Sequence, residues 1–476
     1  MKKNDRFLYL RLADKIETMI HQGVYAIGDK LPSVRSLHKE HGISISTALQ
    51  VYTHLEKRGW VTAREKSGYF VQYAQPIRPQ LPPVTNPSPM AAEVRIYDQV
   101  EMFLQKQKGK KFISLIGESP HISLLPTLKL NKALQQIARS HTTAYLPYGD
   151  LIGHEPLRRH IARLSLHWGG ALHPEQIVVT NGAIEGAGLA LRAVAKAGDT
   201  IAIESPTFFG LLQAIESLGM KALEIPTDPA TGVSLDKLEH AFRKKKVQAC
   251  LFTTNYNNPL GSCMPDSHKA QLALLLQQYQ IPLIEDDVYG DLHFAPERPK
   301  TIKTYDRDGL VLYCSSFSKT IAPGLRIGWI TGGRYHDKIA RLKFMTSAST
   351  GLLPQLLITN FLEQQRMDLH LKTLRQTIHT QMMQVARIVQ QCFPADTQLT
   401  RPGGGISSWV VLPSRVDTRL LHRQAMTHHF TFTPGGLFSS QDKYHHCLRL
   451  SGSNPVNEDQ IWALQLLGKL IHQQLK

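Results

Sequence analysis

Six prolines within 22 residues interrupt this chain of 476 residues. They fall between Tyr73 and Val94, in YAQPIRPQLPPVTNPSPMAAEV. Proline fixes φ and lacks a backbone donor, so this stretch favours an extended, semi-rigid linker. The sequence therefore predicts a small domain over residues 1–72, a proline-rich linker over 73–95 and a large domain over 96–476.

The small segment has the pattern of three helices followed by a hairpin. Apolar residues recur at helical spacing over residues 8–20. Ser33 can cap a short second helix that Gly42 ends. Ser44 can cap a third helix that runs to about Lys57. The sequence WVTAREKSGYFVQ then alternates around a basic turn, so the segment predicts an α+β winged helix-turn-helix.

The net charge agrees with a polyanionic partner for this segment. The whole chain carries a formal charge of +17, and residues 1–75 hold 12 Lys and Arg against 7 Asp and Glu, a net +5. Hydroxyl residues open the third helix and cations mark the hairpin tip, and both suit phosphates and base edges. The alternative is a small helical dimerisation domain with solvated charges. The candidate DNA contacts are Ser44, Ser46, Thr47, Arg64, Lys66 and Gly68.

The same segment resembles the GntR-type winged helix-turn-helix. The resemblance rests on LPSVRSLHKEHGISISTALQVYTHLEKRGWV followed by SGYFV, and it covers residues 7–72. It implies double-stranded DNA as a partner, contacted by Arg35, by the start of the recognition helix and by the wing around Gly68. Two positions depart from the family: a basic residue is usual at Ile45, and a polar or basic one is common at Leu49.

Composition argues against several classes of protein. No stretch approaches the ~18 apolar residues of a membrane span, and charges interrupt the N-terminal region before a signal-peptide core forms. The five cysteines are scattered without a CxxC pair, which argues against a disulfide scaffold or a zinc ribbon. The sequence therefore predicts a cytoplasmic protein with no membrane partner and no metal site.

The large segment alternates short apolar strands with helices. Stretches such as 184–196 and 266–279 are helical in pattern. This alternation predicts an α/β fold with a mainly parallel sheet, whose ligands bind at the carboxyl ends of the strands. The predicted strands are IVVT (177–180), TIAIE (200–204), ACLFTT (249–254), PLIEDD (282–287) and LVLYCSS (310–316).

The sequence SSFSKTIAPGLRIGW places a lysine after a strand and among hydroxyls. Lys319 becomes a useful nucleophile when burial or nearby cations lower its pKa. Ser316, Ser318 and Arg326 can bind a phosphate beside it, because hydroxyls and a guanidinium fork suit phosphate oxygens. The alternative is a surface lysine in a serine-rich loop.

Three further motifs bring polar groups to strand ends. TNGAIEGAGLAL joins a strand end, a glycine turn and a helix start, where backbone N–H groups bind anions. IEDDVYGDL sets Asp286 and Asp287 at the end of a strand, with Tyr289 three residues beyond Asp286. A metal site would also use carboxylates, but no His or Glu stands at a ligand spacing. YNNPLG is a turn by composition, so Asn258 could be merely a turn residue.

Together these motifs resemble the fold-type I pyridoxal-phosphate enzymes of the aminotransferase class I and II group, over residues 112–476. The resemblance implies a pyridoxal 5′-phosphate cofactor that Lys319 carries as an internal aldimine. Asp286 would pair with the pyridine nitrogen and keep it protonated, so that the ring acts as an electron sink. Tyr289 and Asn258 would hydrogen-bond the phenolic oxygen of the ring.

The resemblance also implies how the rest of the cofactor and a substrate are held. Phe208 would stack on the ring, and Tyr148 would reach the phosphate of the neighbouring subunit. Arg449 would clamp a substrate α-carboxylate with a bidentate pair. A polar residue is usual at Ile184, and the charge of Glu185 would be unfavourable beside a phosphate unless it points away. The phosphate would be held by Gly182, Ala183, Ile184, Ser316, Ser318 and Arg326.

The whole chain resembles the MocR group of bacterial transcription regulators, which join a GntR-like head to an aminotransferase-like body. This implies a homodimer, an amino acid or other amino-compound effector, and large and small subdomains at about 120–345 and 346–476. The first hypothesis is a pyridoxal-phosphate-dependent regulator that senses the cofactor or an amino compound through aldimine chemistry at Lys319. The second is an active aminotransferase that carries a DNA-binding head. The third is a body used structurally, without a cofactor.

Overall fold

The chain divides into two compact units, residues 1–79 and 80–476. The computed structural model describes residues 8–21, 24–25, 28–64, 67–71, 80–105, 112–140, 143 and 146–476. Each unit has hydrophobic clusters of its own. Among the helices of these described residues, none has the length and apolar character that crossing a bilayer requires.

The first unit holds three helices and a hairpin, as the sequence pattern predicts. Ser33 caps α2 by accepting the Ser36 amide, and Gly42 ends it at φ +62°. Ser44 caps α3 by accepting the Thr47 amide. Leu37, Val51 and Leu55 are among the buried residues of its core. The elements are α1 (Leu8–His21), α2 (Val34–His41), α3 (Ile45–Lys57), β1 (Val61–Arg64) and β2 (Gly68–Val71).

Most of the expected linker belongs to the second unit. Residues 72–79 lie outside the described residues, but from Gln80 onward the chain packs on the body. The Gln80 carbonyl accepts the Leu399 amide at 3.0 Å, and the Thr85 hydroxyl donates to the Ser205 carbonyl at 2.7 Å. Proline-rich chain is extended and leaves its carbonyls free for such bonds. The expected linker of 73–95 therefore differs from the structure, in which the body begins at residue 80.

The second unit contains twelve helices and fifteen strands in its described residues. The helices are α4 (Tyr97–Gln105), α5 (Thr127–Ser140), α6 (Glu155–Leu164), α7 (Ala183–Val194), α8 (Phe209–Ser217), α9 (Leu235–Arg243), α10 (Asp266–Tyr279), α11 (His336–Ser347), α12 (Leu352–Gln364), α13 (Met367–Cys392), α14 (Thr418–Thr427) and α15 (Glu458–Leu475). The strands are β3 (Ala92–Glu93), β4 (Ile113–Ser114), β5 (Ile177–Thr180), β6 (Thr200–Ser205), β7 (Lys221–Asp228), β8 (Gly232–Val233), β9 (Ala249–Phe252), β10 (Leu283–Asp286), β11 (Val311–Ser316), β12 (Gly328–Thr331), β13 (Gln398–Leu399), β14 (Ser407–Val411), β15 (Phe430–Thr431), β16 (Thr433–Pro434) and β17 (Cys447–Ser451).

The central sheet is mainly parallel. Its strand order is β3-β7-β6-β9-β10-β11-β12-β5, and β7, β6, β9, β10 and β11 pair in parallel. β12 runs antiparallel to both of its neighbours, which the sequence pattern did not predict. The strands are buried because helices pack on both faces, with α7 on one side and α10 on the other. The carboxyl ends of the parallel strands thus meet at one edge of the sheet.

A smaller antiparallel sheet follows near the C-terminus, in the order β13-β14-β17-β16. Helices α13, α14 and α15 cover it with apolar side chains. Within this sheet Arg449 stands at the centre of β17, opposite Trp409 on one side and Thr433 on the other. This register fixes the backbone of Arg449 inside a sheet.

Candidate functional site

Ten of the twelve predicted cofactor residues line one cavity at the carboxyl ends of the central strands. Thr253 and Val288, which the sequence reasoning missed, also line it. Strand ends and the start of α7 converge here because the strands run in parallel. The ten residues are Ala183, Ile184, Phe208, Asn258, Asp286, Tyr289, Ser316, Ser318, Lys319 and Arg326.

Lys319 projects from a short turn directly after β11, which Ser316 caps. Its amine donates to the carbonyl oxygen of Glu118 at 2.5 Å and lies 5.7 Å from the centre of the Tyr289 ring. Burial of the amine lowers the pKa of Lys319 to about 8, an effect that the Glu118 charge opposes. Lys319 therefore lines the cavity with its amine held at Glu118 and Tyr289, which differs from the alternative of a lysine on a solvated loop surface.

Asp286 and Asp287 are neighbours in sequence but have different surroundings. Asp287 accepts from Arg298 at 2.6 Å, from Tyr313 at 2.9 Å and from Asn255 at 3.0 Å, so its carboxylate is satisfied by the fold. Oδ1 of Asp286 is buried and has no hydrogen-bond partner among the described residues. Burial, and then the charge of Asp287, raise the pKa of Asp286 to about 7. Asp286 is therefore the carboxylate available to a donor on a ligand.

Three predicted residues form a hydrogen-bonded chain across the cavity. The Asn258 amide donates to the Tyr289 hydroxyl at 3.2 Å, and Arg449 Nη1 donates to Asn258 Oδ1 at 3.0 Å. Burial raises the pKa of Tyr289 to about 12, against the positive charge of Arg449 and the Asn258 hydrogen bond. Asn258 is thus more than a turn residue, because its side chain joins the other two.

Arg449 is completely buried. Its Nη2 donates to Thr433 at 3.2 Å and to the Ile116 carbonyl at 3.3 Å, while Nε has no partner among the described residues. Burial lowers the pKa of Arg449, and the charge of Glu118 opposes that change. The guanidinium thus retains donor capacity at Nε, and it reaches the cavity lining through Asn258, since Arg449 is not itself among the lining residues. The sequence did not predict its link to Asn258, since the two residues are 191 positions apart.

Arg326 and the start of α7 form a cradle for an anion. Gly182 precedes α7 at φ +82°, and a Cβ there would lie 2.2 Å from Arg326 Nη2, so glycine alone permits the close approach. Arg326 donates to the Ser318 hydroxyl at 3.3 Å and to the Asn181 carbonyl at 3.1 Å. The guanidinium is therefore held beside the backbone N–H groups of a helix start, where a phosphate binds well.

Glu185 lies in the first turn of α7, but its carboxylate is bonded elsewhere. It accepts from the Asn181 amide at 2.6 Å, from the buried Lys343 amine at 2.8 Å and from Ser347 at 3.0 Å. Although burial opposes it, these bonds lower the pKa of Glu185. The charge that would be unfavourable near a phosphate is thus compensated by Lys343, which the sequence reasoning did not identify.

The remaining predicted body residues differ in their exposure. Phe208 lines the cavity just before α8 and packs on Phe209, with ring centres 4.6 Å apart. Tyr148 is 92% exposed. Within the described residues, no group of three His, Cys, Asp or Glu side chains is placed to hold a metal ion.

In the first unit, the predicted DNA contacts lie on the second helix, the third helix and the hairpin. Arg35 is exposed in the first turn of α2. The hydroxyl of Ser44 lies 2.7 Å from that of Ser46 and 2.8 Å from that of Thr47. Gly68, at φ +105°, opens β2. Its partner in the hairpin register is Arg64, whose side chain is outside the described structure, as is Lys66.

Comparison with known proteins assigns each of the two units to a family. Residues 118–460 match the aminotransferase class I and II family, and residues 8–71 match the bacterial regulatory proteins of the gntR family. The uncharacterized HTH-type transcriptional regulators YjiR and YdcR of Escherichia coli are 38% and 36% identical, each over 98% of this chain and 99% of the relative. A multiple substrate aminotransferase from Thermococcus profundus is similar in structure, with a TM-score of 0.74 and 25% identity over 79% of this chain and 95% of that one.

The aminotransferase family implies pyridoxal 5′-phosphate as the cofactor, and the cavity fits it. The Asp286 carboxylate offers an acceptor for a protonated ring nitrogen, the cradle at Arg326 suits a phosphate, and the Lys319 amine suits an aldehyde. The predicted fold class and cofactor are thereby confirmed, and the gntR-family head implies DNA binding. The chain belongs to the aminotransferase class I and II family and, with its gntR-family head, to the MocR group of HTH-type transcription regulators.

Proposed function

We propose that this chain is a pyridoxal-phosphate-dependent regulator that binds a double-stranded DNA operator and senses the cofactor, or an amino compound, at Lys319. The observation that carries this proposal is one cavity that combines the Lys319 amine, the Asp286 carboxylate and the cradle at Arg326. The same chain has a winged helix-turn-helix head, which we assign to residues 1–72. A DNA-binding regulator of a bacterium acts in the cytoplasm.

Different residues of the body would hold different parts of the cofactor. Lys319, with a pKa of about 8, is partly neutral near neutral pH, so its amine would hold the cofactor through its aldehyde group. Asp286 would keep the ring nitrogen protonated, and the cofactor would supply an electron sink for amine chemistry. Gly182, Ala183 and Ile184 would offer backbone donors to the phosphate. Ser316, Ser318 and Arg326 would add side-chain donors, and Phe208 would cover one face of the ring.

The hydrogen bonds that link Arg449, Asn258 and Tyr289 provide a means of sensing an effector. A carboxylate that binds Arg449 competes with Asn258 for Nη1, because that donor is already engaged. Asn258 in turn orients the Tyr289 hydroxyl, which would hydrogen-bond the phenolic oxygen of a bound cofactor. An amino acid effector would thereby change hydrogen bonds both at Arg449 and at the Lys319 amine, while an amine without a carboxylate would change those of Lys319 alone.

We also propose a homodimer in which Tyr148 of each subunit reaches the phosphate bound by the other. Its side chain is 92% exposed in the single chain, which suits a residue that acts across an interface. The body of each subunit begins at residue 80, with large and small subdomains meeting near residue 345. Two heads in one dimer suit an operator with paired half-sites.

An active aminotransferase that carries a DNA-binding head is the second candidate. It is favoured by the completeness of the site, since Lys319 can move a proton as an amine of pKa about 8 and Arg449 can hold a carboxylate. The two candidates differ in rate and in consequence. An enzyme turns over amino acids, whereas a sensor converts binding into a changed affinity for DNA.

The test uses the purified full-length chain loaded with pyridoxal phosphate. Its visible absorption band should disappear in Lys319→Ala and persist in the control Lys338→Ala, and a band unchanged in Lys319→Ala would contradict the assignment. Amino acids are then added with an oxo-acid acceptor. Turnover of ~1–10³ s⁻¹ would favour the enzyme. A spectral shift with negligible turnover and a change of ~5–150-fold in DNA affinity would favour the regulator.

A further inference from the structure

Two exposed residues of α3 are apolar where the family usually has polar or basic groups. Ile45 is 55% exposed and Leu49 is 47% exposed. They are four residues apart, so they occupy adjacent positions on one helix face. Ala48 and Val51, which lie on the side of the helix that packs into the core of the head, are completely buried. The exposed pair therefore contributes nothing to that core.

The same face lacks the cations that read guanine. Residues 44–56, from the cap of α3 to its last turn, contain neither Lys nor Arg. Bidentate recognition of guanine in the major groove uses Arg or Lys, so this part of the helix has no donor of that kind. The exposed polar side chains of this part of the helix are Ser44, Ser46, Gln50 and Glu56, and the Glu56 carboxylate accepts the Ala63 amide of the hairpin. Cations lie instead on α2, where Arg35 and Lys39 are exposed and suit phosphates.

These side chains match the chemistry of A·T pairs. The thymine methyl group is the one apolar feature in the major groove, and aliphatic side chains contact it. Glutamine pairs with the N6 and N7 atoms of adenine. From this arrangement, and resting on the proposed DNA-binding function, we infer that α3 reads an A·T core in each operator half-site. Ile45 and Leu49 contact thymine methyl groups, and Gln50 contacts adenine.

The duplex, rather than another protein, is the occupant that fits this apolar face. The face lies in the second helix of a helix-turn-helix, which is the element that enters the major groove. Hydroxyls at Ser44 and Ser46 border it on one side, and the cations of α2 precede it in the chain. Protein docking on this face would make DNA affinity independent of thymine methyl groups.

The test begins with selection of duplexes from a random library by the full-length, cofactor-loaded chain. The selected site is then compared with the same site in which deoxyuridine replaces thymidine, which removes the methyl group and keeps the base pair. Fluorescence anisotropy should show about fourfold weaker binding for each contacted methyl group, equivalent to about 0.8 kcal/mol. The Ile45→Ala and Leu49→Ala variants should each show a smaller difference in affinity between the thymidine duplex and the deoxyuridine duplex.

Leu8→Ala is the matched control, because Leu8 is 51% exposed in the same head and lies on α1. It should keep the full preference for thymidine, and Gln50→Ala should lose selectivity at one A·T pair. Selected half-sites with a G·C core, or equal affinity for the deoxyuridine duplex, would overturn the inference alone. If no sequence were selected over random DNA, the proposed DNA-binding function would fail and the inference with it.

Discussion

Replacing Lys343 with methionine should destabilise the body strongly, and the structure indicates by how much. Lys343 is completely buried and donates to Glu185 at 2.8 Å and to Thr350 at 2.9 Å. Breaking one partner of a buried ion pair costs about 3–5 kcal/mol, because the remaining charge is left without compensation. The free energy of unfolding of the body should fall by that amount in Lys343→Met.

The double variant Lys343→Met/Glu185→Gln separates loss of charge balance from loss of packing. Glutamine keeps an acceptor for the Asn181 amide but carries no charge, so most of the stability should return. We expect a coupling free energy of at least about 2 kcal/mol, as for groups in direct contact. The control is Lys338→Met on the same helix. Among the residues that the structure describes, Lys338 donates to the Ala193 carbonyl and to no carboxylate, so its loss should cost about 1 kcal/mol.

The assay is urea unfolding of the full-length chain followed by tryptophan fluorescence, since four of the five tryptophans lie beyond residue 80. The effect should also depend on pH. The pKa of Glu185 is lowered in the folded state, so its contribution is present above its unfolded pKa of about 4.3 and is lost as pH falls through the folded value. A loss below about 1 kcal/mol in Lys343→Met, or a double variant no more stable than the single one, would refute this account.

Three further outcomes are expected. The rate at which pyridoxal phosphate attaches to the cofactor-free chain should rise with pH and reach half its maximum near pH 8, because the neutral Lys319 amine reacts. The rate is followed by absorbance. A rate independent of pH between 6 and 9 would contradict the lowered pKa. Arg449→Lys should weaken the binding of an amino acid effector by about 10–100-fold, because charge-assisted hydrogen bonds of about 1.5–3 kcal/mol are lost. In a spectral titration the binding of amines without a carboxylate should be unaffected. DNA affinity should fall steeply with salt, and Arg35→Ala should reduce the slope of log K against log salt by about 1; an unchanged slope would remove Arg35 from the phosphate contacts.

Local features of this fold follow from the sequence. Ser33, Gly42 and Ser44 set the ends of α2 and α3, because capping depends on the cap residue and the next three positions. Five strands of the central sheet, β5, β6, β9, β10 and β11, and the helix over 266–279 were predicted from local pattern for the same reason. These signals need no information about distant parts of the chain.

Features that depend on distant contacts were not predictable. Strand β12 runs antiparallel between β11 and β5, and its sequence is as short and apolar as that of β5. Burial of Lys343 against Glu185 joins positions 158 apart, and only the packing of α11 on α7 brings them together. The proline count predicted a linker, but the acceptors that hold residues 80–95 belong to strands far along the chain.

The adjacent aspartates Asp286 and Asp287 have different roles that the sequence motif alone does not explain. Asp287 is saturated by Arg298, Tyr313 and Asn255, so it stabilises the strand ends around the cavity. Oδ1 of Asp286 and Nε of Arg449 are buried without partners among the described residues, and such groups cost about 1–3 kcal/mol each. A ligand that satisfies both removes that cost, so its binding free energy adds to the stability of the body. Ligand binding at this site is therefore linked to the folding stability of the body.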